Sequence, residues 1–318
     1  MAIAVRNLTK RYGQEKAVDD ISFDVQTGEI LGFLGPNGAG KTTTMKMITC
    51  YLPPNAGTIT VDGLSIESDG LAVRRKIGYL PEHNPLYMDM NVHEYLAYAG
   101  GLHGMDAGTL RGRIREMVEL CGLGDVRHKD IGELSKGYRQ RVGLAQAMVH
   151  DPDVLILDEP TSGLDPNQIV EIRTLIRQMG RQKTVIFSTH ILSEVQATCD
   201  RVVIINAGKI VADGTPEELQ HRFRSGEMIS VELKADAGDP VRDIMPRLQA
   251  LGRVQGVTYD GGEGAHRFTV TTEQGSDLRA EVFQLAVRER WTLLELSRRS
   301  TSLEEVFHVL TTSDEKAG

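Results

Sequence analysis

Gly35-Pro36-Asn37-Gly38-Ala39-Gly40-Lys41-Thr42-Thr43 decides the reading of this chain. It fits G-x-x-x-x-G-K-[ST], a loop that cradles phosphate. Ile30 to Leu34, just before it, reads as a short buried strand, and Thr43 to Thr49, just after it, as an opening helix. That strand–loop–helix order is the context the motif needs. Glycines let the backbone come close to a phosphate chain with its N–H groups turned inward. The helix start adds the positive end of its dipole. Lys41 is placed to bridge the β- and γ-phosphates and Thr42 to offer its hydroxyl to Mg²⁺.

The rest of the chain supports a large α/β core. Val154 to Leu157 is a continuous apolar run ending in Asp158-Glu159, the pattern of a strand buried on both faces. Ligands bind at the carboxyl ends of strands in open α/β sheets. Asp158 is therefore expected to face Mg²⁺, directly or through water, and Glu159 to orient an attacking water. Thr184 to Ser188 reads as the next strand, ending at Thr189-His190, and Asp200 to Asn206 as another. Near the start, Ala2 to Leu8 and Ala17 to Val25 read as antiparallel strands around Lys10-Arg11-Tyr12-Gly13. Tyr12 either stacks on a base, worth about 1–3 kcal/mol, or packs locally as a turn tyrosine. Residues 92–150 read as mostly helical, with apolar spacing over Val92 to Ala99 and Leu110 to Cys121. Tyr87, Tyr95 and Tyr98 are expected in the core, with a partner surface as the alternative. Leu134-Ser135-Lys136-Gly137-Tyr138-Arg139-Gln140-Arg141 precedes a helix from Val142 to Val149, with Ser135 as its cap. This is a second glycine-bearing anion site, and it makes sense if each nucleotide lies between two copies.

Composition sets outer bounds. The 318 residues are 40% hydrophobic and 25% charged, which argues against disorder and gives ample chain for a core. The net charge of −8 does not favour a general nucleic-acid binder. Cys50, Cys121 and Cys199 have no C-x-x-C spacing and read as reduced thiols of a cytoplasmic protein. Met1 to Arg6 carries no charged leader followed by an apolar run. No apolar stretch approaches the ~20 residues that span a bilayer. If the chain works at a membrane, another chain does the spanning.

A composition shift at Arg224-Ser225-Gly226 starts a new pattern. Strand Met228 to Leu233, helix Pro240 to Leu251, strands Val254 to Tyr259 and His266 to Thr271, helix Leu278 to Arg288 and strand Thr292 to Ser297 follow, with a last helix Leu303 to Leu310. The β-α-β-β-α-β order predicts a ferredoxin-like appendage. The expected division is 1–222 for the nucleotide domain, 226–311 for an accessory α+β domain and 312–318 for a loose tail.

Over residues 1 to about 222 the sequence resembles the ATP-binding subunit of the ABC transporters. Gly35 to Thr43 matches the family's phosphate loop, Leu134 to Tyr138 its signature, Val154 to Pro160 its second nucleotide motif, Ser162-Gly163-Leu164-Asp165 its D-loop, and His190 its switch histidine. Tyr12 matches its base-stacking aromatic. Leu80-Pro81-Glu82, the Ser135 to Arg141 signature and Leu303 to Phe307 look most like ABC-2-type exporter ATPases, of the gliding-motility or multidrug-export kind. The resemblance implies a P-loop ABC-type nucleotide-binding domain with an antiparallel β subdomain and a helical subdomain. It implies two copies closing head-to-tail around two ATP, with Lys41, Thr42 and Thr43 of one chain facing Ser135 and Gly137 of the other. Glu159 is then the general base, His190 a γ-phosphate contact and Asp165 a link between the sites. Thr42, Glu82 and Asp158 would serve Mg²⁺. The implied partner is a separate membrane-spanning permease subunit, docked at the loop after Glu82, and the implied place is the inner face of the cell membrane. Three residues depart from the family: Glu82 stands where glutamine is usual, Lys136 where glycine is usual, and Tyr138 where glutamine is usual. A soluble ABC ATPase acting on nucleic acid or ribosomes, and a regulatory ATP sensor, are the competing readings. The acidic charge and the presence of both Glu159 and His190 weigh against them.

Overall fold

The computed structural model describes residues 1–222, 227–235, 239–262, 264–273 and 275–299, with 307, 310 and 311. β1 (Ile3–Tyr12) and β2 (Glu15–Val25) form a hairpin that turns at Gly13. The pairing runs on to Tyr12↔Glu15, so Lys10 to Tyr12 lie in strand rather than in the connection. β3 (Ile30–Leu34) leads into the phosphate loop and α1 (Lys41–Ile48). β4 (Ala56–Val61) and β5 (Leu64–Ser65) join the hairpin in an antiparallel sheet of order β2-β1-β4-β5.

α2 (Gly70–Lys76) and β6 (Ile77–Leu80) are followed by the helical segment: α3 (Val92–Leu102), α4 (Ala107–Leu120) and α5 (Lys136–Met148). Asn91 caps α3 in a capping box with Glu94, and Asp106 caps α4. These side chains satisfy amide groups that a helix start leaves without partners. β7 (Val154–Asp158), α6 (Pro166–Gly180), β8 (Thr184–Thr189), α7 (Leu192–Thr198), β9 (Arg201–Asn206) and β10 (Lys209–Gly214) complete this part, and α8 (Pro216–Arg222) follows it. The central sheet runs β10-β9-β3-β8-β7-β6, parallel except for the β9–β10 hairpin.

Alternation along the central strands builds two cores at once. Val154, Ile156 and Ile186 face a cluster with Ile3, Val5, Phe23, Phe33 and Met45, under the antiparallel sheet. Leu155, Leu157, Val185 and Phe187 face the opposite cluster with Leu96, Ile114, Met117, Val142 and Leu144 of the helical segment. Strand side chains alternate faces, so each apolar run serves both cores. α5 lies very close to β6 and the loop behind it. A Cβ on Gly143 would fall 1.8 Å from Asn84 Nδ2 and 2.7 Å from Leu80 Cδ1.

Two compact units result: Met1–Pro216 together with residues 310 and 311, and Glu217–Val309. The second unit contains β11 (Glu227–Lys234), α9 (Pro240–Asp243), α10 (Met245–Gln249), β12 (Val254–Gly261), β13 (His266–Thr272), α11 (Arg279–Arg288) and β14 (Thr292–Arg299). Its sheet is antiparallel, in the order β12-β13-β11-β14. That is the strand order of a ferredoxin-like fold, with Val231, Leu233, Phe268 and Val270 on the buried face against Leu248 and Leu285. The single helix expected over 240–251 is broken at Ile244, just before Pro246; proline supplies no backbone N–H. The helix expected over 303–310 and the tail over 312–318 lie outside the described residues, apart from 307, 310 and 311.

Candidate active site

Helix α1 starts two residues earlier than its apolar pattern predicts, at Lys41, with Gly40 as its N-cap at φ 108. That left-handed backbone suits glycine, and a Cβ there would also strike the Ala17 carbonyl at 2.4 Å. The turn aims the first amides of α1 into the cleft, where a helix has no internal partners for them. Lys41, only 6% exposed, folds back over the loop. Its Nζ donates to the Gly35 carbonyl at 2.8 Å and the Pro36 carbonyl at 3.2 Å, and pairs with Glu159 Oε1 at 3.2 Å.

β7 and β8 supply the acidic side. Asp158 Oδ1 accepts from Ser188 Oγ at 2.5 Å and from Thr42 Oγ1 at 3.2 Å. Asp158 and Ser188 are direct neighbours in the parallel register. Burial is the main cause that raises the Asp158 carboxyl above its ordinary 3.8; the Ser188 and Thr42 bonds oppose the rise, and Glu82 and Glu159 add to it. The other oxygen, Oδ2, is buried with no hydrogen-bond partner among the described residues. Glu159 sits at φ 49, an uncommon backbone for a non-glycine residue. Its amide donates to Ser188 Oγ at 3.1 Å. Its carboxylate is divided between Lys41 on Oε1 and His190 Nδ1 on Oε2, the latter at 2.9 Å. Beyond His190, Thr189 Oγ1 donates to the buried Glu194 at 2.7 Å and accepts from the Ile191 amide at 3.0 Å, which fixes the turn that carries the histidine.

A cleft of about 350 Å³ is lined by Ala17, Asn37, Gly38, Gly40, Lys41, Thr42, Thr43, Glu82 and Glu159. A neighbouring groove of about 600 Å³ shares Thr42 and Glu82 with it and adds Asp158, Tyr79, Asn84 and His150. Thr42, Asp158 and Glu82 are an all-oxygen donor set, and the orphan Asp158 Oδ2 suits a hard divalent cation such as Mg²⁺. Among the described residues no group of three His, Cys, Asp or Glu side chains could hold a metal by itself.

The second motif stands apart from this cleft. α5 begins at Lys136, six residues before the apolar pattern does, and Ser135 Oγ accepts from the Tyr138 amide at 3.4 Å. Ser135, Gly137, Asp165 and Tyr12 are not among the residues lining the cleft. Lys136 is exposed and lies over Gly163, where a Cβ would come within 2.0 Å of its Nζ. Asp165 caps α6 by accepting from the Gln168 amide at 3.0 Å. Gln140 Nε2 donates to the Pro160 carbonyl at 2.8 Å, tying α5 to the segment after Glu159. Tyr12 is 51% exposed at the hairpin tip, with Lys10 Nζ 5.9 Å from its ring centre.

The uncharacterized ABC transporter ATP-binding protein YxlF of Bacillus subtilis is 35% identical over 306 residues, 96% of this chain and 98% of that protein. The chain belongs to the ABC transporter ATP-binding proteins. The ABC transporter family model matches residues 18–162 of this cassette. Nod factor export ATP-binding protein I of Burkholderia lata is 40% identical to it over 218 residues, 68% of this chain and 72% of that protein. Among solved structures, cbiO1 from Clostridium perfringens, part of the ABC transporter complex cbiONQ, superposes with a TM-score of 0.63 at 30% identity, over 69% of this chain and 90% of that one. Membership makes this cassette an ATPase of exporter-type relatives.

Sequence reasoning missed Ser188 and Glu194, which fix Asp158, Glu159 and the His190 turn. Among Tyr87, Tyr95 and Tyr98, the core expectation holds only for Tyr95. Tyr87 and Tyr98 are exposed and meet edge-to-face at 5.5 Å.

Proposed function

We propose that this chain is the ATP-hydrolysing motor subunit of an ABC-2-type exporter, working as a homodimer on a separate membrane-spanning subunit. The observation that carries the reading is Glu159, whose two oxygens reach Lys41 and His190 at the end of a strand beside the phosphate loop. In this reading the loop amides and Lys41 hold the β- and γ-phosphates. Glu159 accepts a proton from the attacking water as its oxygen approaches the γ-phosphorus, and His190 holds the γ-phosphate in line. Thr42, Asp158 and Glu82 would hold Mg²⁺. Magnesium, when bound, neutralises charge on the phosphates.

Ser135 and Gly137 of a second copy complete each site from the opposite side, Asp165 lies near the join, and Tyr12 stacks on the base. The tie from Gln140 to Pro160 and the close fit of Asn84 against Gly143 support transmission. Both link α5 to the loops around the nucleotide. The loop after Glu82 is then the docking point for the membrane subunit. Among the described residues no helix is long and apolar enough to cross a membrane, so the membrane-spanning part is assigned to the partner.

The test is gentle detergent purification of the tagged protein from its native cells, with ATPase assay of what co-purifies. A multi-span membrane protein in stoichiometric amount, changing the ATPase rate, is the expected result. A ribosome or nucleic acid in its place would overturn the exporter reading.

A further inference from the structure

Three apolar side chains of the ATPase unit stand far into solvent: Tyr51 at 71%, Leu71 at 62% and Leu102 at 71% exposed. Leu71 and Leu102 line a cleft with Arg74 and Arg75 of the last turn of α2, Arg74-Arg75-Lys76, and Tyr51 lines the neighbouring groove with Arg74. Basic residues at a helix C-terminus offset its dipole, but the three are not bonded alike. Lys76 Nζ is held by Asp62 and Asp153, each at 3.0 Å, and its pKa is raised, chiefly by those bonds. Arg74 and Arg75 are exposed, and among the described residues neither guanidinium has an acidic or hydrogen-bonding partner. In a chain of net charge −8, Arg74 and Arg75 set two adjacent positive charges beside the exposed Leu71 and Leu102.

Arg74 and Arg75 line a cleft of about 260 Å³ with Leu71, Leu102, His103 and Gly104. Burial and the Arg75 charge push the His103 pKa down. Arg74 and His103 also reach the rim of the 600 Å³ groove, beside Tyr51 and Lys46.

We propose that this cleft binds the phosphate of an anionic phospholipid headgroup, with Leu71 and Leu102 entering the acyl boundary and Tyr51 lying at headgroup level. Planar guanidinium forks match phosphate oxygens in pairs. An aromatic ring with one apolar and one polar end belongs at the bilayer interface. The apolar rim selects among anions, because a free phosphate gains nothing from exposed leucines, whereas an amphiphile buries them. The inference rests on the exporter reading, which brings this chain to a membrane face.

The test is co-sedimentation of the purified full chain with vesicles of phosphatidylcholine alone or of phosphatidylcholine mixed with phosphatidylglycerol. Wild type is expected to bind only the mixed vesicles, and less as salt is added. The double variant Arg74→Ala/Arg75→Ala should bind about 30-fold more weakly, at about 1 kcal/mol per arginine near an anionic surface. Arg111→Ala/Arg115→Ala removes the same charge from exposed positions on α4 and should bind like wild type. Leu71→Ala/Leu102→Ala should weaken vesicle binding too. All variants should keep the wild-type melting temperature and ATPase rate in solution.

Absence of vesicle binding by wild type, or equal losses in the two arginine pairs, overturns the proposal. Arginine-dependent binding of inorganic phosphate without vesicle binding assigns the cleft to a free anion and overturns the lipid source. Cross-linking from Arg74→Cys to the co-purified membrane subunit, without vesicle binding, makes the cleft a protein interface and also overturns it. Vesicle binding is read on the purified chain and the exporter reading on what co-purifies, so the two fail separately.

Discussion

The phosphate loop and the segment from Leu134 to Gln140 are both glycine-bearing helix openings, yet their bonding differs. Lys41 is buried and has three acceptors, and Asp158 and Glu159 beside it are fixed by Ser188 and His190. Ser135 has one backbone donor at 3.4 Å, and Lys136 after it is exposed. One helix opening is completed by strands of its own chain. The other is presented on a surface, with one amide, that of Tyr138, capped by Ser135. Under the proposed reading, half of a nucleotide site is built by the fold and the other half displayed for a second copy.

The hardest blow to this contrast falls on the built half. Glu159→Gln should lower ATP turnover by about 10²–10⁴-fold while ATP still binds, read by phosphate release and by nucleotide-dependent dimers in gel filtration. Wild-type turnover would remove Glu159 from the role of base. Lys41→Ala deletes a charge-assisted contact worth about 1.5–3 kcal/mol, so ATP affinity should fall about 10- to 150-fold in a titration.

The displayed half should respond differently. Ser135→Ala removes a helix cap worth about 1 kcal/mol of stability and should weaken activity through the second copy. Mixing Ser135→Ala with Lys41→Ala chains restores one intact composite site per mixed dimer, so activity should rise above that of either variant alone. No recovery would break the comparison.

The smallest effect is on stability. The folded Asp158 pKa is raised above its unfolded value, chiefly by burial, so the folded state holds that proton more tightly. Its contribution is favourable below the ordinary 3.8 and is lost as pH rises through the raised value. Asp158→Asn carries no charge at any pH and should melt higher than wild type at neutral pH without magnesium. The expected shift is about 2–4 °C per kcal/mol for a protein of this size, measured by thermal denaturation.

What the sequence made legible was local. The loop from Gly35 to Thr43 and the run from Val154 to Leu157 each carry their whole signal within a few residues. Ser188 was not legible because its partner Asp158 lies 30 residues away and is reached only through the parallel register. The start of α5 was read late because Lys136 to Arg141 has little apolar periodicity, and tertiary packing through Gly137 and Gly143 decides it. The element order of the second unit was legible as β-α-β-β-α-β, whereas the break at Ile244 depended on the geometry around Pro246. Asp165 was read for a link between sites; its carboxylate is also the cap of α6, a role that a lone Asp-Pro pair leaves open.

The pairing of Lys41 with Glu159 has a consequence for the idle enzyme. Under the proposed roles, the phosphate-gripping cation and the proton-accepting anion neutralise each other within the cleft. A triphosphate that takes the lysine leaves the carboxylate with His190 alone. The substrate itself then unmasks the base, and the affinity measured for ATP is the difference between two ion pairings.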